Sequence, residues 1–285
     1  MNKINILYGE EAISYEDIGE IKFCEYRIAI PSYKRASTLR DKTLSMLKSH
    51  NISPDRIDVF CANEEERDLY MKTLEEGTYS RIIVGVVGMM NIRNFIQNYY
   101  AEGTNIVCID DDIKDVVKIA KNGTKKYSEI ENLEYFFQYA FAVTAELGAK
   151  YWGVYAAANP FFMKRSICCG LYYLIGSFWG MVVSHSKDLY VTMDDKEDFE
   201  RSVRAYLKYG KVARMNFVTV KSSYYTEKGG MQEERTEARV EWSAKKLMAM
   251  FPNQVQINKA RKKHFEVMLV EKRKNVTSRK VYNFM

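Results

Sequence analysis

No uninterrupted apolar run in the sequence approaches the roughly 20 residues a membrane span requires, so an integral membrane protein is not expected. Four prolines and fifteen glycines in 285 residues exclude collagen-like and low-complexity chains. Cysteine is scarce and odd in number: five residues, at 24, 61, 108, 168 and 169, none at zinc spacing. They read as reduced core thiols of a cytoplasmic protein. The opening segment MNKINILYGEEAISYEDIGEIKF is acidic where a secretory signal has an apolar centre, so export is not expected. What is present is core material: 47% hydrophobic and 28% charged residues specify a globular chain with a sizeable core.

Charge is unevenly distributed. Residues 245–285 carry eleven Lys and Arg against Glu266 and Glu271, a local balance of +9, whereas the first 244 residues stand at −3. Such a run is either a solvated helix face or the footprint of a polyanionic partner, since clustered Lys and Arg release counterions from phosphates.

Strand-like and helix-like segments alternate through the first half, which predicts an α/β fold with a mixed, mostly parallel sheet flanked by helices. Residues 26–30 form a short apolar run stopped by Pro31, and 57–62, 81–86 and 105–109 repeat that pattern. Between them, 32–50 reads as a loop and then a helix with Leu39, Thr43, Leu44 and Leu47 at helical spacing. Residues 64–76 form a charged helix, and 91–101 form one that presents Ile92, Phe95, Ile96 and Tyr99 before Gly103. Further on, 129–147 and 195–209 are helical, 152–158 and 213–220 strand-like, and 169–183 ambiguous. The polar stretch 224–237, with Gly229 and Gly230, reads as a mobile loop. The expected organisation is one domain over 1–244 with a basic C-terminal extension, 245–285, packed on it.

Three aspartates, Asp110, Asp111 and Asp112, follow the fourth strand directly. On an extended segment Asp110 and Asp112 point the same way and can converge on a divalent cation while Asp111 turns aside. Three adjacent carboxylates repel one another unless a cation compensates them, and open α/β sheets bind ligands beyond the carboxyl ends of their strands. The alternative is that Asp112 caps a helix beginning near Lys114 and the others are solvated. A second acidic cluster, Asp194, Asp195, Glu197 and Asp198, stands at a helix start, where it is either an N-terminal signature or a rigidly held general base. Lys34 and Arg35 after the first strand, and Arg93 on the helix before the fourth, supply cations that could face a diphosphate at the same edge.

Taken in this order, the segments resemble the nucleotide-sugar glycosyltransferases of the GT-A (Rossmann-like) fold. The matching pieces are Ile30 to Arg35 after the first strand, Arg93-Asn94, the DxD motif in Asp110 to Asp112, and a later ED motif, Glu197-Asp198; they cover roughly residues 26 to 220. The resemblance implies that Pro31, Ser32 and Arg35 border the nucleotide base and ribose, and that Arg93 reaches the uracil or diphosphate. Asp110, with Asp111 beside it, belongs to the donor site, and Asp110 with Asp112 holds Mn²⁺ or Mg²⁺. Asp198 is the implied base of an inverting transfer, Glu197 its partner in the motif and Asp195 the rival base. His264 and His185 are candidates for the histidine that often completes the metal shell in this fold.

A narrower similarity rests on Gly229-Gly230-Met231-Gln232 with Arg235, followed by Trp242 and the basic terminus. It is to the phage glycosyltransferases that accompany base-hydroxylating (TET/JBP-like) oxygenases. It implies a UDP-sugar donor, a hydroxymethyl pyrimidine of DNA as acceptor, and a location in the cytoplasm, that of the host for a phage-encoded enzyme. A base inside a duplex is out of reach, so the nucleotide must be single-stranded or extruded. Tyr172, Tyr173, Phe178, Trp179, Tyr224 and Tyr225 are candidate stacking groups, with Trp179 the favoured acceptor wall and Tyr172 and Phe178 favoured as core. Arg261, Lys262, Lys263, Lys272, Arg273 and Lys274 would follow the backbone. Two rivals remain: the same fold acting on a glycan, lipid or protein, and an inactive nucleic-acid-binding protein on this scaffold.

Overall fold

The computed structural model describes residues 23–120, 126–222, 236–260, 265–270 and 280–283. Strand β1 (Tyr26–Pro31) leads into α1 (Ala36–Leu39), which continues through a π-helical stretch, Arg40–Leu44, into α2 (Ser45–Ser49). Then follow β2 (Ile57–Cys61), α3 (Glu64–Thr73), β3 (Arg81–Val84), α4 (Met89–Tyr99) and β4 (Asn105–Ile109). β1, β2, β3 and β4 pair in parallel in the order β4-β1-β2-β3, so their carboxyl ends share one edge.

After β4 the order loosens. β5 (Ile113–Ile119) and β6 (Tyr127–Glu129) precede α5 (Leu133–Glu146), β7 (Tyr151–Val154), β8 (Ser166–Gly170), β9 (Phe178–Val182) and α6 (Glu197–Tyr209). The segment expected as one strand over 213–220 is two: β10 (Val212–Met215) joins the large sheet, and β11 (Val218–Ser222) pairs with β5 in a separate three-stranded sheet. The ambiguous run over 169–183 resolves into the end of β8, a connection and β9. α7 (Glu237–Met250), the hairpin β12 (Val255–Ile257) and β13 (Val267–Leu269), and the edge strand β14 (Lys280–Asn283) complete the fold. The large sheet runs β14-β8-β10-β7-β9-β4-β1-β2-β3. β8 and β9 run against the other seven strands, which makes the sheet mixed and mostly parallel, as expected.

Strand periodicity divides the core. Ile28, Ile30, Val107, Ile109, Trp152 and Phe178 face the layer that contains α1, α2 and α5. Their neighbours Ala29, Ile106, Cys108, Tyr151 and Trp179 face α4 and α6 on the opposite side. At one crossing the sheet admits only glycine: a Cβ on Gly180 would stand 2.2 Å from the Trp152 ring. A third cluster joins Leu171, Met193, Val203 and Tyr206 to Leu247, Phe251, Val255 and Val267. The described part of the C-terminal segment up to Val267 therefore packs into the same body, and the boundary expected at 244/245 falls inside α7. Cys61, Cys108, Cys168 and Cys169 are buried, Cys24 is half-buried, and all are free thiols. Among the described residues no helix is long and apolar enough to cross a membrane.

Candidate active site

The aspartate triplet is not extended. β4 stops at Ile109, and Asp111 and Asp112 form a turn into β5, so Asp112 caps no helix. The turn is what separates the three carboxylates. Asp111 is buried: Ser32 Oγ donates to it at 2.7 Å and Arg35 Nη1 lies 3.3 Å away, while Tyr70 OH holds Ser32 Oγ at 2.7 Å. Asp111 thus ties the β1–α1 loop to the end of β4, at the wall of the smaller cavity. Burial pushes its carboxyl up to about 7 against the opposing pull of Ser32 and Arg35. Asp110 and Asp112 line both neighbouring cavities, and Asp111 lines the smaller one alone. Burial, and then the charge of Asp110, raises Asp112 to about 6.

Arg93 joins this turn to the second acidic cluster. Its Nη2 donates to Asp110 Oδ1 at 2.8 Å and to the Gly176 carbonyl at 3.0 Å, and its Nε lies 3.4 Å from Glu197 Oε1. Burial opposes the cation, but the charges of Asp110 and Glu197 outweigh it and hold Arg93 protonated. With its side chain 4% exposed, Arg93 links the two motifs, and it also lines the larger cleft, with Nη1 making no hydrogen bond among the described residues. The adjacent Asn94 exchanges two hydrogen bonds with Val191, at 2.9 and 3.0 Å, and so anchors the segment that carries the acidic cluster.

Within that cluster the four carboxylates have different environments. Asp194 Oδ1 accepts from Met90 N at 2.8 Å, at the start of α4, where Gly88 adopts φ +96°. Asp195 is buried and ion-paired with Arg239 of α7. Glu197 is held by Arg201, one helical turn on, and by Arg93. Asp198 accepts from Tyr173 OH through Oδ2 and from Phe199 N at 2.9 Å through Oδ1, and the Tyr173 ring stacks on Phe199 with centroids 4.2 Å apart. Burial, and then the Glu197 charge, raises the Asp198 pKa above the usual carboxylate range. Of the two rival bases, Asp198 is the one with no counter-charge bound directly to it in these contacts, because Glu197 takes Arg201.

Two cavities meet at Asp110, Asp112, Arg35 and Met89. One lies beyond β1 and β2 and is lined by Pro31, Ser32, Tyr33, Phe60, Val86 and Val87. The other is a cleft of about 620 Å³ that reaches Tyr173, Gly176, Asp195, Glu197, Asp198 and Phe199, with Asn258 and Glu266 on its far wall. The geometry brings Pro31, Ser32, Arg35, Asp110, Asp111, Asp112, Asp195, Glu197 and Asp198 to one connected hollow. Asp110 and Asp112 are hard oxygen ligands whose mutual repulsion a divalent cation would relieve, which fits Mg²⁺ or Mn²⁺. Among the described residues no third His, Cys, Asp or Glu completes a cage with them.

Two expectations fail. His185 Nε2 lies 2.9 Å from the Tyr100 carbonyl, before the amino end of β4, while the triplet is at the carboxyl end, so it is not a metal ligand. Trp179 is no acceptor wall: it is buried in the central strand β9 between the parallel Tyr151 ring and the Arg201 guanidinium, 3.9 Å from its centroid. Phe178 is buried core, and Tyr172 lies beside Arg214. His264, Tyr224, Tyr225, Gly229, Gly230, Met231, Gln232, Arg235, Arg261, Lys262, Lys263, Lys272, Arg273 and Lys274 lie outside the described residues. Thr43, Tyr70, Arg201 and Arg239 escaped the sequence reading as site residues, and Tyr173, read there as a stacking group, is found holding Asp198. Only Arg201 carried a local signal, four residues after Glu197.

No protein-family model matches the chain, and no curated protein matches it. Among solved structures it is similar to TarS 1–349 of S. aureus in complex with UDP, at 13% identity over 79% of this chain and 66% of that one, with TM-score 0.49. It is similar to glucosyl-3-phosphoglycerate synthase from Mycobacterium tuberculosis with Mn²⁺, UDP-glucose and phosphoglyceric acid, at 10% identity over 100% and 95%, with TM-score 0.47. A third is the galactosyltransferase LgtC with donor and acceptor sugar analogs, at 12% identity over 65% of each chain, with TM-score 0.33. The chain spans 58% and 66% of the two TarS chains it matches. Likeness at this level carries no residue role or substrate to this chain.

Proposed function

We propose that the chain is a metal-dependent GT-A glycosyltransferase that moves a sugar from a UDP-sugar to the hydroxyl of a hydroxymethyl pyrimidine in DNA, with inversion. The observation that carries this reading is the single hollow in which Asp110 and Asp112 face Asp198 across the Arg93 bridge. The smaller cavity beyond β1 suits the nucleoside, with Pro31, Ser32 and Arg35 at its border. Asp110 and Asp112 would hold the cation, which supplies Lewis-acid stabilisation of the departing diphosphate. Asp198 takes the proton of the acceptor hydroxyl as that oxygen bonds to the anomeric carbon and the bond to the diphosphate breaks. Tyr173 and Phe199 N orient its carboxylate, and Glu197, paired with Arg201 and Arg93, stays an anchor.

Support for a DNA acceptor comes from charge and chain order. Arg261, Lys262 and Lys263 fall in sequence between Asn258 and Glu266, both of which line the cleft. Incubation with UDP-sugars and Mn²⁺ is expected to release UDP, and Asp112→Ala to abolish release; no release from any donor overturns the enzymatic reading. DNA affinity is expected to fall steeply with salt, and neutralising Arg261, Lys262 and Lys263 to flatten that slope. A glycan, lipid or protein acceptor is the second reading, favoured by the acidity of the cleft wall, where Asp194 and Glu266 would repel a phosphodiester. Absence of DNA binding at low salt selects it.

A further inference from the structure

Thr43 is a polar residue on the apolar face of the first helical segment, in register with Leu39, Leu44 and Leu47, and it is fully buried. Its hydroxyl donates to the Asp110 carbonyl at 2.7 Å and accepts from Ile113 N at 3.0 Å. It therefore bridges the two ends of the four-residue turn that contains Asp111 and Asp112. The residue sits in the π-helical stretch Arg40–Leu44, and π-helical turns, which interrupt the regular helix, are frequent at functional sites. Asp110 N also donates to the Ser177 carbonyl at 2.9 Å, just before β9, so its backbone is held both by the helical layer and by the neighbouring strand of the sheet.

We infer that Thr43 is a positioning residue for the cation site: its hydroxyl sets the turn at which Asp110 and Asp112 present their carboxylates together. The inference rests on the proposed metal-dependent reading of that site. A hydroxyl is suited to this task because one atom both donates and accepts, and so joins the carbonyl just after β4 to the amide that opens β5. A valine of the same shape would fill the space but leave both backbone groups without that partner. Groups that orient metal ligands in this way typically change metal affinity by about 10- to 100-fold when removed.

The test compares Thr43→Ser with Thr43→Ala, since both lose the methyl and only serine keeps the hydroxyl. Mn²⁺ with UDP is titrated into each folded protein by calorimetry, with UDP alone and thermal unfolding measured alongside. Thr43→Ser is expected to bind Mn²⁺–UDP within about threefold of the wild type, and Thr43→Ala about 10- to 100-fold more weakly, with UDP alone unchanged in both. Equal Mn²⁺–UDP affinity of the two variants overturns the inference, as does a serine variant as weak as the alanine one. A wild type that binds no Mn²⁺–UDP, or an Asp112→Ala variant that binds it normally, brings down the proposed function instead.

Discussion

Replacing Arg93 with methionine removes the one cation that, among the described residues, touches both acidic motifs, while keeping most of its volume. Three groups lose a partner: Asp110 at 2.8 Å, the Gly176 carbonyl at 3.0 Å and Glu197 at 3.4 Å. Removal of one partner from a buried ion pair costs about 3–5 kcal/mol. Asp110 is 28% exposed and can recover water, and Glu197 keeps Arg201, so the lower end of that range, about 3 kcal/mol, is expected. In a chain of this size that corresponds to a fall in Tm of about 5 °C. Urea unfolding of wild type, Arg93→Met, Asp110→Asn and the double variant forms a cycle, in which a coupling of about 1–2 kcal/mol is expected because the residues touch. A cost below about 1 kcal/mol, or additive single effects, would refute the assignment of Arg93 as the electrostatic link between the motifs.

Asp198 works as a base only when ionised, so with its pKa raised by burial and the Glu197 charge the rate should fall as pH drops through a value above the usual carboxylate range. Asp198→Asn should lose at least about a hundredfold in kcat; a wild-type rate flat down to about pH 4, or an active Asn variant, would sink the role. At the far end of the strands, buried Asp58 is bound by Arg27, Arg81 and Tyr100, and although burial alone would raise its pKa, these bonds hold it low. Its stabilisation is present above the unfolded carboxylate pKa and lost as pH falls through the lower folded value. Asp58→Asn should cost about 2–3 kcal/mol at neutral pH and flatten acid unfolding, an effect moderated by the partial exposure of both arginines; unchanged acid unfolding argues against it. Gly180→Ala drives a methyl into the Trp152 ring and should lower the urea midpoint by an amount worth about 1–3 kcal/mol, whereas a neutral effect would contradict the packing at that crossing.

The alternation of strands and helices through Ile109, and the placing of Ser32, Arg35, Asp110 and Asp112 at strand ends, were readable along the chain because each follows from local period and from the residue that stops an apolar run. Pairing across the chain left no such trace. Asp195 and Asp198 look alike as letters three positions apart; they differ because Arg239, 44 residues beyond Asp195, neutralises the first, and Tyr173, 25 residues before Asp198, orients the second. Trp179 beside Gly180 reads as an exposed wall until β9 is seated between β4 and β7, where the indole is enclosed by Tyr151 and Arg201. The triplet was legible as a cluster, but the binding of Asp111 to Ser32 and Arg35, while Asp110 and Asp112 reach both cavities, came from a turn held by Thr43 and Ser32. Local propensity acts between near neighbours, whereas burial and ion pairing depend on which distant side chains the fold brings within hydrogen-bond reach.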